Sequence, residues 1–163
     1  MFGRKKTASV SVKSLKEAAI KSIKECFDKN GWKYEFDAEC GKFASGFMGD
    51  DLPISVAIIV SDISMHIVCL LDFRAVPEKY QDVVWNLNEI NRKLSIGMFS
   101  LDPEDGYISF TYGHFFPNYP PVPEFVEALV QAIVKIVDQN DGNLKKIAEV
   151  SGNRAGDYNM MYN

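Results

Sequence analysis

The side chains suited to nucleophilic attack or to soft metal binding are two histidines and three cysteines: His66, His114, Cys26, Cys40 and Cys69. A cysteine activated by a histidine would be a nucleophile, and several such residues at short spacing would hold zinc. The chain has no C-x-x-C pair and no ligand cluster around either histidine, and Cys69 falls inside an apolar strand pattern. These residues therefore predict no catalytic pair, no metal site and no cofactor.

Acidic residues cluster in two short segments, Asp50-Asp51 and Asp102-Pro103-Glu104-Asp105-Gly106. Paired carboxylates can hold Mg²⁺ or act as acid and base. Glycine, proline and aspartate at these spacings are also typical of turns, and turn chemistry accounts for the acids without a ligand. The chain lacks a G-x-S-x-G motif, a Walker loop and a dinucleotide-binding glycine motif. We therefore predict that the protein is not an enzyme.

Asn88 and Asn91 lie three residues apart on the apolar side of a predicted helix, where aliphatic side chains would be expected. Their amides could bind the donors and acceptors of a small ligand. They could instead bond to main-chain groups at a strand end, because a buried amide must find partners. The structural role is the favoured interpretation, and we expect Asn91 to be buried and bonded to main chain.

An aromatic and proline-rich segment at residues 113–122 contains Phe115, Phe116 and Tyr119. If it is exposed, these aromatics form a partner-binding surface of the kind found in protein interfaces. If it folds back, it is a lid that closes one end of the core. The sequence leaves these two interpretations equally open.

Length and composition indicate a single domain of ordinary globular type. The chain has 163 residues, of which 47% are hydrophobic and 25% charged. We expect a flexible leader at residues 1–12, one domain at residues 13–150 and a polar tail at residues 151–163. The net charge of −4 argues against nucleic-acid binding, although the leader is basic. The absence of a long apolar run or a secretory signal, with unpaired cysteines, predicts a cytoplasmic protein that does not enter a membrane.

Hydrophobic periodicity predicts three main helices and six strands. A helix begins at Ser14 and ends near Lys29, where Asn30-Gly31 provides a left-handed stop. The predicted elements that follow are strands at Trp32–Asp37, Lys42–Met48, Ile54–Ser61 and Met65–Phe73, a helix at Pro77–Leu94, strands at Gly97–Leu101 and Tyr107–Tyr112, and a helix from Pro123 to about Gln139. Asp141-Gly142 is expected to break this last helix before a short terminal one.

Two predicted elements have more apolar surface than a single buried face requires. The third and fourth strands are apolar on both faces, and the last long helix has only a narrow polar stripe. Other parts of the chain, or a partner, must cover these surfaces. Because a large exposed apolar patch is costly on a monomer, we expect a homodimer.

The order of elements, together with several short motifs, resembles the YbjN-like family of bacterial sensory-transduction regulators. The resemblance covers about residues 13–150, and its motifs are Trp32-Lys33-Tyr34, Val76-Pro77-Glu78, Leu87-Asn88-Glu89-Ile90-Asn91, the strands Phe99–Leu101 and Gly106–Phe110, and the final apolar helix. It implies a fold similar to type III secretion chaperones and supplies no catalytic residue.

The sequence thus predicts an α+β domain with an antiparallel sheet flanked by helices. The leading functional hypothesis is a non-enzymatic protein-binding module, chaperone-like or regulatory, that covers an apolar segment of a partner protein. The alternative is a small-molecule sensor with a pocket between the second helix and the sheet, where Asn88 and Asn91 would fix a polar ligand.

Overall fold

In the computed structural model, residues 12–149 are described, with side chains from residue 14. The predictions for the leader before residue 12 and for the tail at residues 151–163 lie outside this range. The elements are α1 (Val12–Asn30), β1 (Glu35–Asp37), β2 (Lys42–Met48), β3 (Pro53–Val60), β4 (Ser64–Arg74), α2 (Tyr80–Asn91), β5 (Met98–Leu101), β6 (Tyr107–Phe115) and α3 (Pro123–Ala148). A single 3₁₀ turn at Pro77–Lys79 leads into α2.

The six strands form one sheet in the order β1-β2-β3-β4-β6-β5, and every neighbouring pair is antiparallel. Short turns join β3 to β4 and β5 to β6, and each of these pairs is a β-hairpin. The α2 segment carries the chain from β4 past the place that β6 fills, so that β5 becomes the edge strand. The structure therefore confirms the predicted α+β class with its antiparallel sheet and helices.

One face of the sheet and the buried sides of all three helices form a single hydrophobic core. Alternation along the strands selects this face, because every second residue of β3 and β4 is buried. The buried strand residues are Ile54, Val56, Ile58 and Val60 on β3 and Met65, Ile67, Cys69, Leu71 and Phe73 on β4. On α3 the buried residues recur at helical spacing and turn one stripe towards the sheet.

The end of α1 shows how the chain passes from helix to sheet. Gly31 has a φ of 65°, its N–H donates to the carbonyl oxygen of Asp28, and the Trp32 N–H donates to that of Phe27 at 2.9 Å. This is a Schellman-type ending, and it confirms the left-handed stop predicted at Asn30-Gly31. Because Trp32 belongs to the helix ending, its ring packs on Phe27, with centroids 5.5 Å apart, and the first strand begins only at Glu35.

The predicted break at Asp141-Gly142 is wrong, because α3 continues through both residues to Ala148. A glycine inside a helix costs about 1 kcal/mol relative to alanine. Burial of one leucine stabilises by about 1.5–3 kcal/mol, and both Leu144 and Ala148 are fully buried. The continued burial of the apolar stripe therefore outweighs the local preference for a break.

The predicted segment 113–122 is shorter than expected, because β6 extends to Phe115. Residues 113–115 pair with the beginning of β4, where Phe115 lies opposite Ser64 and Gly113 opposite His66. Without these residues the start of β4 would leave main-chain groups unpaired on that side. The connection to α3 is therefore confined to residues 116–122.

Candidate functional site

The second face of the sheet, called here the open face, points away from the helices. The buried side chains of α1, α2 and α3 all join the core on the first face, so no helix of the described chain remains to cover the open face. The strand register places the following residues on it: Ala44, Gly46, Ser55, Ala57, Ile59, His66, Val68, Leu70, Met98, Ser100, Ser109, Thr111 and Gly113. An uncovered sheet face of this kind is the main candidate site.

Small side chains occupy the middle of the open face, and larger apolar ones stand around it. Across the sheet, Ala44, Ala57, Val68 and Thr111 lie side by side in one row. Met48, Ile59, Met98 and Phe115 are exposed at its periphery. A shallow, partly apolar surface bordered by flexible methionines and an aromatic ring is suited to contact with another polypeptide.

The structure divides the three aromatic residues of the connecting segment. Phe115 is 62% exposed and Tyr119 is 81% exposed, whereas Phe116 is only 3% exposed. The Phe116 N–H donates to the carbonyl oxygen of Ile63 at 2.8 Å, which fixes this ring over the end of the core. The lid interpretation therefore describes Phe116, and the contact-surface interpretation remains available for Phe115 and Tyr119.

The two asparagines of α2 have different surroundings. The Asn91 side-chain N–H donates to the carbonyl oxygen of Phe99 at 2.9 Å, and the Phe99 N–H donates to Asn91 Oδ1 at 2.8 Å. The predicted bonding of Asn91 to main chain is thus present, although the residue is half-buried and not fully buried. Asn88 lies exposed on the same helix. The Asn91 amide is therefore occupied by main chain, whereas the Asn88 side chain is exposed.

The cysteines and histidines form no catalytic pair in the described chain, because the thiols of Cys26 and Cys69 are buried and His66 lies across the sheet from them. Burial raises the pKa of the Cys26 thiol to about 11 and that of the Cys69 thiol to about 12. His66 lies on the open face of β4, on the opposite side of the strand from Cys69. The rings of His114 and Phe125 pack together on the helix side, with centroids 4.7 Å apart. The buried thiols are held protonated, which argues against a thiolate nucleophile at either position.

Carboxylates gather where the β2–β3 turn meets α3. Asp138 Oδ1 accepts the Asp50 N–H at 2.6 Å, and the Asp51 carboxylate lies against Gly142, where an added Cβ would displace it. Asp141 is 1% exposed, and its Oδ1 has no hydrogen-bond partner in the described chain. Burial, reinforced by Asp138 and Asp51, raises its pKa from 3.8 to about 6. In residues 12–149 these and other potential ligands form no group that could hold a metal ion.

Two features of α2 and the open face escaped the sequence patterns. Trp85 is 68% exposed beside the exposed Val84, although tryptophan is usually largely buried. A depression of about 640 Å³ lies on the open face beside the β5–β6 turn. Both depend on how elements are arranged in three dimensions, and no local motif indicates either.

Along residues 12–149 none of the helices combines the length and the apolar character needed to span a membrane.

The antiparallel six-stranded sheet, covered by helices on one face, defines a small α+β fold. The chain belongs to the YbjN family, whose model matches residues 19–145 and is described as "Putative bacterial sensory transduction regulator". No curated protein matches the sequence. The family match confirms the resemblance seen in the short motifs of the sequence.

Two solved structures share the fold. An uncharacterized protein from Methanothermobacter thermautotrophicus aligns with a TM-score of 0.52 and 15% identity, covering 77% of this chain and 93% of its own. A chain in the crystal structure of the ExsC–ExsE complex aligns with a TM-score of 0.54 and 10% identity, covering 85% of this chain and 98% of its own. At these identities the likeness concerns the fold, and it bears out the predicted type III secretion chaperone-like architecture.

Proposed function

We propose that the chain is a non-enzymatic protein-binding module, regulatory or chaperone-like, that covers an apolar segment of a partner protein with the open face of its sheet. The observation that carries the proposal is the uncovered face itself. It presents exposed Ile59, Met98 and Phe115 around half-buried Val68 and Leu70. Contiguous apolar surface of this kind is typical of protein-binding sites.

The comparisons support a regulatory or partner-binding role at a general level. The family is described in terms of sensory transduction, and one structure with the same fold is a complex of ExsC with ExsE. The sensor alternative has less support, because the Asn91 amide that would fix a ligand is already engaged with Phe99. The function of the chain would then depend on which polypeptide it binds and not on a reaction that it catalyses.

Self-association and location complete the proposal. α3 packs against α1, α2 and the sheet, so these elements of the same chain cover its wide apolar surface and no partner is needed there. The open face and the exposed Val84–Trp85 pair on α2 still support a homodimer, and sedimentation at tens of micromolar would detect it. Sedimentation as a monomer throughout that concentration range would contradict the homodimer.

Free thiols at all three cysteines suit a reducing, cytoplasmic setting.

The test compares partners captured by the wild-type chain and by two matched variants. The first variant changes Ile59, Met98 and Phe115 on the open face to Ser, and the second changes Val84 and Trp85 on α2 to Ser. All these side chains are exposed, so both variants should fold, and urea unfolding would verify this. Phe116 is left unchanged because it is a core residue.

We expect quantitative mass spectrometry to find partners that the open-face variant loses and the α2 variant retains. If the open-face variant folds and captures the same partners in the same amounts, the open face is not the binding site. If the α2 variant alone loses them, the binding surface lies on the helix side of the molecule.

A further inference from the structure

The depression beside the β5–β6 turn has an apolar floor and an acidic rim. Val68 and Leu70 of β4 line its floor, next to Ser109 of β6, and Asp102 and Asp105 line its rim. Its volume is about 640 Å³. It opens on the uncovered face, and its floor is continuous with the row of Ala57, Val68 and Thr111 described above.

The acids of the rim are held in fixed positions by the turn. Asp102 Oδ1 accepts the Glu104 N–H at 2.8 Å, and Asp105 Oδ1 accepts the Tyr107 N–H at 3.0 Å. Each carboxylate has a second oxygen that these bonds do not use. Neither residue forms an ion pair with another residue of the described chain. Both carboxylates are exposed and border the depression, and the positive charge of Arg74 lies beside it at Tyr107.

Tyr107 forms the wall of the depression nearest to the basic side chain of Arg74. The Arg74 guanidinium lies over the Tyr107 ring, 4.1 Å from its centroid, and donates a hydrogen bond to the Tyr107 hydroxyl. This contact fixes the orientation of the aromatic wall. Ser100 and Ser109, whose side-chain oxygens are 3.2 Å apart, also line the depression. The depression is thus an open surface concavity lined by aromatic, hydroxyl, apolar and acidic side chains.

Charge and shape together select the occupant. A lysine or arginine can lay its methylene stem on apolar surface while its charged head reaches an acid at the edge. A nucleic acid or another anionic ligand would meet repulsion from Asp102 and Asp105. An extended polypeptide fits an open sheet surface, because alternate side chains of a strand point towards the same side.

We propose that this depression binds a basic side chain of an extended partner segment in which lysine or arginine alternates with apolar residues. The stem of that side chain lies on Val68 and Leu70, and its charge meets Asp102 and Asp105. This inference rests on the protein-binding function proposed for the open face, and it adds the chemical class of the segment that is bound.

The test uses three short labelled peptides with alternating leucines, in which the intervening residues are lysine, serine or glutamate. Binding is measured by fluorescence anisotropy, and the site is located from the NMR shifts of the Val68 and Leu70 methyl groups. The variant D102N/D105N removes the charge and keeps an oxygen that can accept the turn hydrogen bonds. The control variant E39Q/D62N removes the same charge at exposed turns away from the depression.

We expect the leucine–lysine peptide to bind more tightly than the other two and to shift the Val68 and Leu70 methyl groups. D102N/D105N should weaken this binding about five- to tenfold, and the control should not, because only the first variant removes the charges that meet the bound lysine and exposed ion pairs contribute modestly. Added salt should reduce the difference between the two variants.

Two results would overturn the inference in distinguishable ways. If the leucine–serine peptide shifts the same methyl groups with equal affinity, the open face binds apolar segments without reading charge, and the proposed function stands alone. If no peptide shifts these methyl groups, the depression is not a binding site for such segments. In that case the partner-capture experiment decides separately whether the open face binds protein.

Discussion

Asn91 at the end of α2 occupies the hydrogen-bonding edge of Phe99 on strand β5. The side chain of Asn91 exchanges two hydrogen bonds with the main chain of Phe99, at 2.9 and 2.8 Å. Because the Phe99 N–H and C=O are used in this way, they must point away from β6. Asn91 thus takes the place that another strand would fill, and it blocks part of the open edge of the sheet.

Replacement of Asn91 with Ala should destabilise the fold by about 1–3 kcal/mol, because it leaves the Phe99 N–H and C=O without partners at a half-buried site. Urea unfolding monitored by circular dichroism measures the change. Asn88→Ala is the matched control, since Asn88 is exposed on the same helix, and its effect should be within about 0.5 kcal/mol. Equal stability of the two variants would show that the Asn91 bonds contribute nothing.

The positions of most elements follow from local patterns that the structure obeys. Alternation in β3 and β4, the helical stripe of α3 and the stop at Gly31 were each sufficient to place an element. The errors occur where distant contacts decide. Asp141-Gly142 is a break by local preference, yet Leu144 and Ala148 are buried beneath the continuing helix. The extension of β6 to Phe115 depends on pairing with β4, which no local pattern reports.

The candidate site was less accessible to sequence reasoning than the fold. Apolar character on both faces of β3 and β4 indicated that a second surface needs cover, and that surface is the open face. The sequence does not separate Phe116 from Phe115. Which of two adjacent residues at a strand end faces the core is known only once the register of the strand is fixed. Local patterns explain Asp102 and Asp105 as turn residues alone, because their position beside Val68 and Leu70 arises from the strand order β4-β6-β5.

Substitution of Gly97 with Ala should be much more destabilising than the same change at Gly31. Both glycines have a φ of 65°, so each variant carries the cost of a left-handed backbone, about 1–2 kcal/mol. A Cβ at Gly31 meets no atom within 4 Å, whereas at Gly97 it would collide with the Phe110 ring and lie 2.8 Å from the Thr111 carbonyl oxygen.

The expected difference between the two glycine variants is about 1–3 kcal/mol, the usual cost of forcing extra atoms into a packed site. Thermal or urea unfolding of both proteins side by side measures it. Because the backbone cost is common to both variants, the difference isolates the close contact between Gly97 and Phe110. Variants of equal stability would mean that the β5 edge adjusts to the added methyl group without loss.

Asp141 should make the stability of the fold depend on pH in a direction opposite to that of an ion-paired carboxylate. Its pKa is raised by burial from 3.8 to about 6, so between these two values the folded state binds a proton that the unfolded state has lost. Stability contributed by this group is therefore greatest below about pH 4, falls as the pH rises to about 6 and stays low above it. At neutral pH, the folded protein holds a buried charge beside Asp138 and Asp51.

Asp141→Asn removes that charge while keeping the shape of the side chain, and we expect it to stabilise the fold by about 1–2 kcal/mol at pH 7.5. The gain should disappear near pH 4, where Asp141 is protonated in the folded state. Urea unfolding at both pH values measures the difference, and Asp62→Asn, at an exposed turn, serves as the control with no expected gain. A variant that is less stable than wild type at pH 7.5 would show that the ionised Asp141 is favourably bound, and that its carboxylate is a structural acceptor.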